Sequence, residues 1–176
     1  MKPSAEEKIF KLEGAYKCKF LDDNGKTVYE SNWVKNQIVN TYAFVMTQLF
    51  LNKNEIESLA PYMAIGVDRT PVNHEDTKLK DEKFRVLTEV VPTKYVEGEG
   101  LFQNPEGTMI NAVDITGVFE KGIVCDIGEI GLFWGKGATE ELNTGIMISR
   151  KDIPNGWDKE ASVRALFTYR LIFREV

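Results

Sequence analysis

The sequence predicts a mainly β protein with one early α-helix: an antiparallel β-sandwich, jelly-roll-like, with the helix packed on one face or edge. Three observations carry this. Short runs with strand-like composition fill the second half of the chain, clusters of Gly, Pro and Asn punctuate them, and a single early segment has helical spacing. No alternating βαβ pattern is present, which argues against a Rossmann or barrel-type α/β enzyme.

From Phe10, the apolar Phe10, Leu12, Tyr16, Cys18 and Phe20 alternate with charged Lys11, Glu13, Lys17 and Lys19, the period of a half-buried strand. Gly14 in that run marks a bulge or a close approach of another part of the chain. Asp22-Asp23-Asn24-Gly25 supplies a turn, and Lys26 to Glu30 reads as the returning strand of a hairpin. Those four residues lack the rest of a calcium loop. Ile38, Tyr42, Val45, Met46 and Leu49 then recur at intervals of three and four, which predicts a helix from about Val34 to Leu51 with Asn32 or Asn36 as its cap.

After Pro61, Tyr62 to Val67 is short and apolar and reads as a buried strand, while Arg69 to Lys83 reads as an exposed polar loop. Further strands are expected at Phe84 to Val91, Lys94 to Gln103, Thr108 to Glu120, Gly128 to Trp134, Gly145 to Arg150 and Ala161 to Glu175. In the last, Val163, Ala165, Phe167, Tyr169, Leu171 and Phe173 share one face. Turns are expected at Gly98 to Gly100, Asn104 to Gly107, Gly135 to Gly137 and Pro154 to Gly156.

At 176 residues the chain suffices for one domain with a sizeable core, organised as a hairpin over 1–31, a helix over 32–54 and a β-rich body over 61–176. Hydrophobic residues at 43% and charged residues at 28% exclude the disordered and low-complexity classes. The 22 basic residues against 27 acidic ones leave a net charge of -5, which argues against a general affinity for nucleic acid. Cys18, Cys125 and the lone His74 are too few for a structural zinc site or a disulfide scaffold, and both thiols read as small buried hydrophobes. Neither a signal peptide nor a membrane span is expected, because Glu6, Glu7 and Lys8 interrupt the start and the longest apolar stretch, Tyr42 to Leu51, is too short.

The search for chemistry points away from catalysis. Gly131 to Gly137 has the wrong spacing for a phosphate loop and no hydroxyl after Lys136, and no serine sits in a Gly-x-Ser-x-Gly elbow. His74, beside Glu75 and Asp76, reads as a solvated surface residue, and the acid-rich Glu97-Gly98-Glu99 and Glu140-Glu141 single out no glycosidase pair. No catalytic, metal or cofactor residue is expected. Trp33, Trp134 and Trp157 lie near element ends, where an aromatic packs the core, stacks on a sugar or anchors an interface. Glu129 shares a strand face with Gly131 and Phe133, opposite Ile130 and Leu132; if buried it needs a partner, for which Arg85 and Arg150 are the candidates.

The order of segments resembles a family of bacteriophage virion proteins of the tail, collar and fibre-attachment parts, including proteins of phage-like elements. The resemblance runs from about Trp33 to Val176. It rests on Lys35-Asn36-Gln37-Ile38, Met63-Ala64-Ile65-Gly66, Thr70-Pro71, Thr77-Lys78-Leu79, Phe84-Arg85, Glu129-Ile130-Gly131-Leu132-Phe133 and Ser149-Arg150-Lys151-Asp152-Ile153-Pro154. Gly66-Val67-Asp68 departs from the family's usual Gly-x-Gly. The resemblance implies a non-enzymatic virion building block, made in the bacterial host cytoplasm, that forms a homo-oligomer and meets other virion proteins through loops and strand edges. Expected interface elements are Arg69 to Lys83, Gly98 to Gly107 and the amino-terminal hairpin. The alternative is a β-sandwich module that binds host-surface carbohydrate through Trp134 or Trp157. Residues expected to make assembly or ligand contacts are Trp134, Trp157, Arg69, His74, Glu129 and Arg150.

Overall fold

A computed structural model describes residues 10–42, 60–93, 112–135 and 137–175. Those residues include eleven strands: β1 (Phe10–Leu21), β2 (Thr27–Glu30), β3 (Val34–Lys35), β4 (Gln37–Ile38), β5 (Tyr62–Gly66), β6 (Glu82–Leu87), β7 (Glu89–Thr93), β8 (Ala112–Phe119), β9 (Cys125–Trp134), β10 (Ile146–Lys159) and β11 (Arg164–Glu175). They form two antiparallel sheets. The first has six strands in the order β2-β1-β11-β8-β7, with β3 also paired to β1, and the second has five in the order β4-β10-β9-β5-β6.

The sheets enclose one apolar core because each strand of the first sheet turns one residue in two inward. Tyr16, Cys18 and Phe20 of β1 meet Ala165, Phe167, Tyr169 and Leu171 of β11 there, opposite Met63, Ile65, Ile127, Ile130, Leu132 and Trp157 of the second sheet. The Trp157 ring stacks across the gap on Phe167 at 5.7 Å, and Phe119 meets Phe167 edge-on at 5.6 Å. Burying each such side chain contributes about 1.5–3 kcal/mol. Both thiols are buried and free, and burial pushes that of Cys125 up to about 11. The predicted alternation of β1 and β11 holds, and the two strands pair in unbroken register from Phe10↔Glu175 to Leu21↔Arg164. Gly14 is therefore no bulge. A Cβ there would lie 2.3 Å from the Tyr169 hydroxyl, so the glycine answers a close side-chain approach.

The amino-terminal hairpin forms as expected, closed by Asp22, whose Oδ1 accepts from the Asn24 and Lys26 amides at 2.9 Å. The helix expected from Val34 is corrected at its start. Val34 and Lys35 are extended against β1, and Gln37 and Ile38 are extended against β10, so the chain crosses between the sheets at Asn36. Val34 and Ile38 still reach the core, each from a short strand, at the interval of four that a helix would also give. Asn36 is held at this corner by its side-chain amide, which donates to Ser149 Oγ; the Tyr16 hydroxyl lies 3.1 Å from the same oxygen. Thr41 and Tyr42 take up helical backbone, and the rest of the expected helix lies outside the described residues.

Three further expectations change. Pro154 to Gly156 does not end a strand: it is a register break inside β10, between Asp152 and Trp157, with Gly156 at φ 66°. The reversal comes later, at 160–163, where the fully buried Lys159 donates from its ammonium to the carbonyls of Ile123 and Val163 at 2.8 Å. The Arg69 to Lys83 segment is not simply an exposed loop, since Asp76 and Leu79 within it are buried against the second sheet. The strand expected over Lys94 to Gln103 and the Gly98 to Gly107 turn region lie outside the described residues.

Candidate functional site

The central strands of the second sheet, β5 and β9, are buried on both faces. On the outer face of that sheet the register sets Arg85 of β6, Ala64 of β5, Gly131 of β9, Arg150 of β10 and Gln37 of β4 side by side. The two small residues in the middle leave a trough. Leu79 fills it, so near that a Cβ on Gly131 would lie 2.8 Å from the Leu79 Cδ2. Val39, Ala64, Leu79, Phe133 and Met147 form a second, smaller apolar cluster around this plug.

An arginine flanks the plug on either side, each built into a buried charge cluster. The Arg150 side chain is wholly buried; its Nε donates to Glu129 Oε2 at 2.9 Å, its Nη1 to Asp76 Oδ2 at 2.8 Å, and its Nη2 to the Thr70 carbonyl at 3.1 Å. Glu129 in turn accepts from the Lys80 and Asp81 amides at 3.1 and 2.7 Å. Arginine's planar fork makes its contacts simultaneous; those to Asp76 and Thr70, with the Lys80 and Asp81 amides on Glu129, fasten the 67–81 loop to the sheet. Burial works against the Asp76 carboxylate, but hydrogen bonds from Lys80, the Asn73 amide and Arg150 hold its pKa below the ordinary value. Asp68 is lowered as well, by hydrogen bonds from the Thr70 side chain and amide and by the charge of Arg150.

At the other end of the row, Arg85 grips Glu82 through Nε and Nη2 at 2.6 and 2.9 Å, and its Nη1 donates to the Thr144 and Thr139 carbonyls at 2.8 and 3.2 Å. Its guanidinium lies over the Phe133 ring at 4.5 Å. Glu82 also accepts from the Asn143 amide at 3.1 Å. This second cluster fastens the 135–145 loop as the first fastens 67–81. Long irregular loops lie on a sheet only if their buried backbone groups find partners, and two Arg-Glu pairs supply them here.

Above the first cluster runs an open groove of about 510 Å³. One wall is the crossover at Lys35 to Gln37, the other is the loop at Pro71 to His74, and Lys151 and Asp152 close it. The Asn40 amide donates to the His74 carbonyl at 3.0 Å, joining the walls. Two smaller grooves, of about 440 and 260 Å³, meet at Phe20 and Asp158 near the hairpin and are rimmed by Tyr29 and acidic side chains.

Of the residues singled out in the sequence, Glu129 and Arg150 form the heart of the first cluster. Between the two candidate partners of Glu129, the structure selects Arg150, since Arg85 is engaged by Glu82. His74 lies exposed in the groove wall. Arg69 is exposed outside it and pairs with Asp126 through Nη2 at 2.5 Å. Trp157 is only 8% exposed and turns its face to Phe167, while half-buried Trp134 packs against the core. Four participants were missed: Asp76, Glu82, Lys35 and Lys151. Glu82 and Arg85 are three apart, which on a regular strand sets them on opposite faces; a register break between Ile65 and Gly66 brings them together. Among the described residues, no three His, Cys, Asp or Glu side chains gather as a metal site, and no helix is long and apolar enough to cross a membrane.

The segments on which the virion resemblance rests are neighbours in space. Gln37 of the crossover pairs with Arg150, Thr70 accepts from it, Leu79 plugs the trough, and Met63 to Gly66 and Glu129 to Phe133 run side by side as β5 and β9. Comparison with protein-family models, curated proteins and solved structures returned no match.

Proposed function

We propose that the chain is a non-enzymatic building block of a bacteriophage virion, of the tail, collar or fibre-attachment kind, that assembles as a homo-oligomer through strand edges. One observation carries the assembly part of this reading. Among the described residues, strands β6 and β7, consecutive in the chain, form the outer edges of the two sheets on the same side of the sandwich, and Leu87, Val90 and Val91 there are 53%, 41% and 43% exposed. Exposed apolar residues on an open edge are what strand addition or edge packing uses, and what an isolated sandwich avoids. Pro92 fits an edge position, because a central strand would need the N–H it lacks. The same proline limits a full backbone ladder on that strand, which leaves side chains to carry much of the contact.

The convergence of the resembling segments on the second sheet and its loops supports the virion part, since the shared residues then describe one structural unit rather than scattered matches. Light scattering across a concentration series, with electron microscopy of the species found, tests the reading. A ring or other discrete multimer of the 20.0 kDa chain is expected, and Val90→Lys with Val91→Lys is expected to shift it to monomer. A wild-type monomer at every concentration would contradict the reading.

A further inference from the structure

We infer that the groove between the Lys35 to Gln37 crossover and the Pro71 to His74 loop binds a saccharide carrying an anionic group, a carboxylate or a phosphate. Assembly through strand edges neither requires nor uses this site, so the inference goes beyond the building-block reading.

Charge is the first argument. The chain carries a net charge of -5, yet Lys35 and Lys151 face this groove against a single acid, Asp152. Asp152 is already engaged by Lys151 at 3.2 Å, and the ammonium of Lys35 has no carboxylate partner among the described residues. An anion entering the groove would meet Lys35 directly.

The remaining uncommitted groups give the second argument. The Gln37 amide offers a donor and an acceptor, and the His74 imidazole offers ring nitrogens at the exposed rim. Neither side chain has a hydrogen-bond partner among the described residues. A simple anion leaves the amide carbonyl idle, whereas a sugar acid brings a charge for Lys35 and hydroxyls that both give and accept for Gln37 and His74. Pro71 supplies an apolar surface for the C–H face of a sugar ring. The volume, about 510 Å³, is within the range of small-ligand sites.

Support from beneath is the third argument. Both walls are held in place before any ligand arrives: the loop by Arg150 through Asp76 and the Thr70 carbonyl, the crossover by Asn36 and by the pairing of Gln37 with Arg150. A site whose walls are fixed by buried partners loses little entropy on binding.

Titration of the full chain with four probes, followed by amide NMR shifts, tests this. The probes are an oligogalacturonate, glucose 6-phosphate, a neutral malto-oligosaccharide and an oligoglutamate. Shifts confined to 35–37, 71–74 and 151 are expected with one or both anionic sugars, with Kd on the order of 1 mM or tighter, and which of the two binds names the anion. Lys35→Glu is expected to weaken that binding about tenfold or more and His74→Ala by less, with thermal midpoints unchanged because both side chains are exposed. Equal binding of the neutral oligosaccharide, or indifference to Lys35→Glu, would overturn the role of charge. Binding of oligoglutamate as tight as that of the sugars would assign the groove to an acidic peptide and overturn the saccharide. No groove shifts with any probe would overturn the site.

Discussion

The outer faces of the two sheets solve opposite problems with the same kinds of residue. On the first sheet, charges stay near water where Lys17 pairs with Glu30 and Arg164 with Glu120. On the second, Arg85 and Arg150 are sunk to 0% side-chain exposure beneath two loops and matched to Glu82 and Glu129. Exposed pairs of the first kind contribute about 0–1 kcal/mol each, and losing one costs little. Pairs of the second kind add little over an apolar filling, yet removing one partner strands the other in a medium that cannot solvate it. The position of a pair, more than its identity, decides what its loss does.

The contrast is broken most severely at Arg150. Arg150→Ala leaves Glu129 buried without its cation and Asp76 with Lys80 alone, and a loss of about 3–5 kcal/mol is expected, with a fall in Tm of about 10 °C and faster amide exchange across 67–81. Arg85→Met should cost about 3 kcal/mol through the orphaned Glu82, and adding Glu82→Leu should recover most of it; denaturant unfolding of the single and double variants reads the difference. If the double variant stays as weak as the single, the pair itself holds the 135–145 loop.

Acid provides a graded version of the same comparison. Asp76 and Asp68 are held below their ordinary values in the folded chain, so as pH falls the unfolded chain takes up their protons first. Their stabilisation is complete above about pH 4 and is lost as pH drops through the folded values. Asp76→Asn should therefore lower stability at neutral pH and flatten its decline in acid, measured as denaturant midpoints across pH. The smallest effect is expected on the first sheet: Arg164→Ala, with both partners about half exposed, should change stability by no more than about 0.5 kcal/mol in the same assay.

The same contrast explains what was legible. Strands β1 and β11 alternate because one face of their sheet meets water, so period and register direction can be read from Lys17, Cys18 and Lys19 or from Phe167, Thr168 and Tyr169. Strands β5 and β9 are covered on both sides, so Tyr62 to Gly66 and Ile127 to Phe133 read only as apolar runs. Glu129 betrayed itself as a charge inside such a run, and its need for an arginine followed. What could not be read was tertiary: which arginine stood across the strand, that Asp76 folds back from a polar loop, and that a register break reunites Glu82 with Arg85. The crossover at Asn36 was hidden for a different reason. Two short strands on opposite sheets present Val34 and Ile38 to the core at the spacing of a helix.

The pairing of β1 with β11 also sets a timetable. The centre of the first sheet joins residues 10–21 to residues 164–175, so most of the chain must be made before its hydrophobic seam can close. During synthesis β1 has only its local partners β2 and β3, and its inward face, with Tyr16, Cys18 and Phe20, waits uncovered for Phe167 and Tyr169. Contacts of such long sequence separation make closure slow, on the milliseconds-to-seconds scale of all-β domains. For a nascent chain on the ribosome, that interval is the time in which a chaperone would find it.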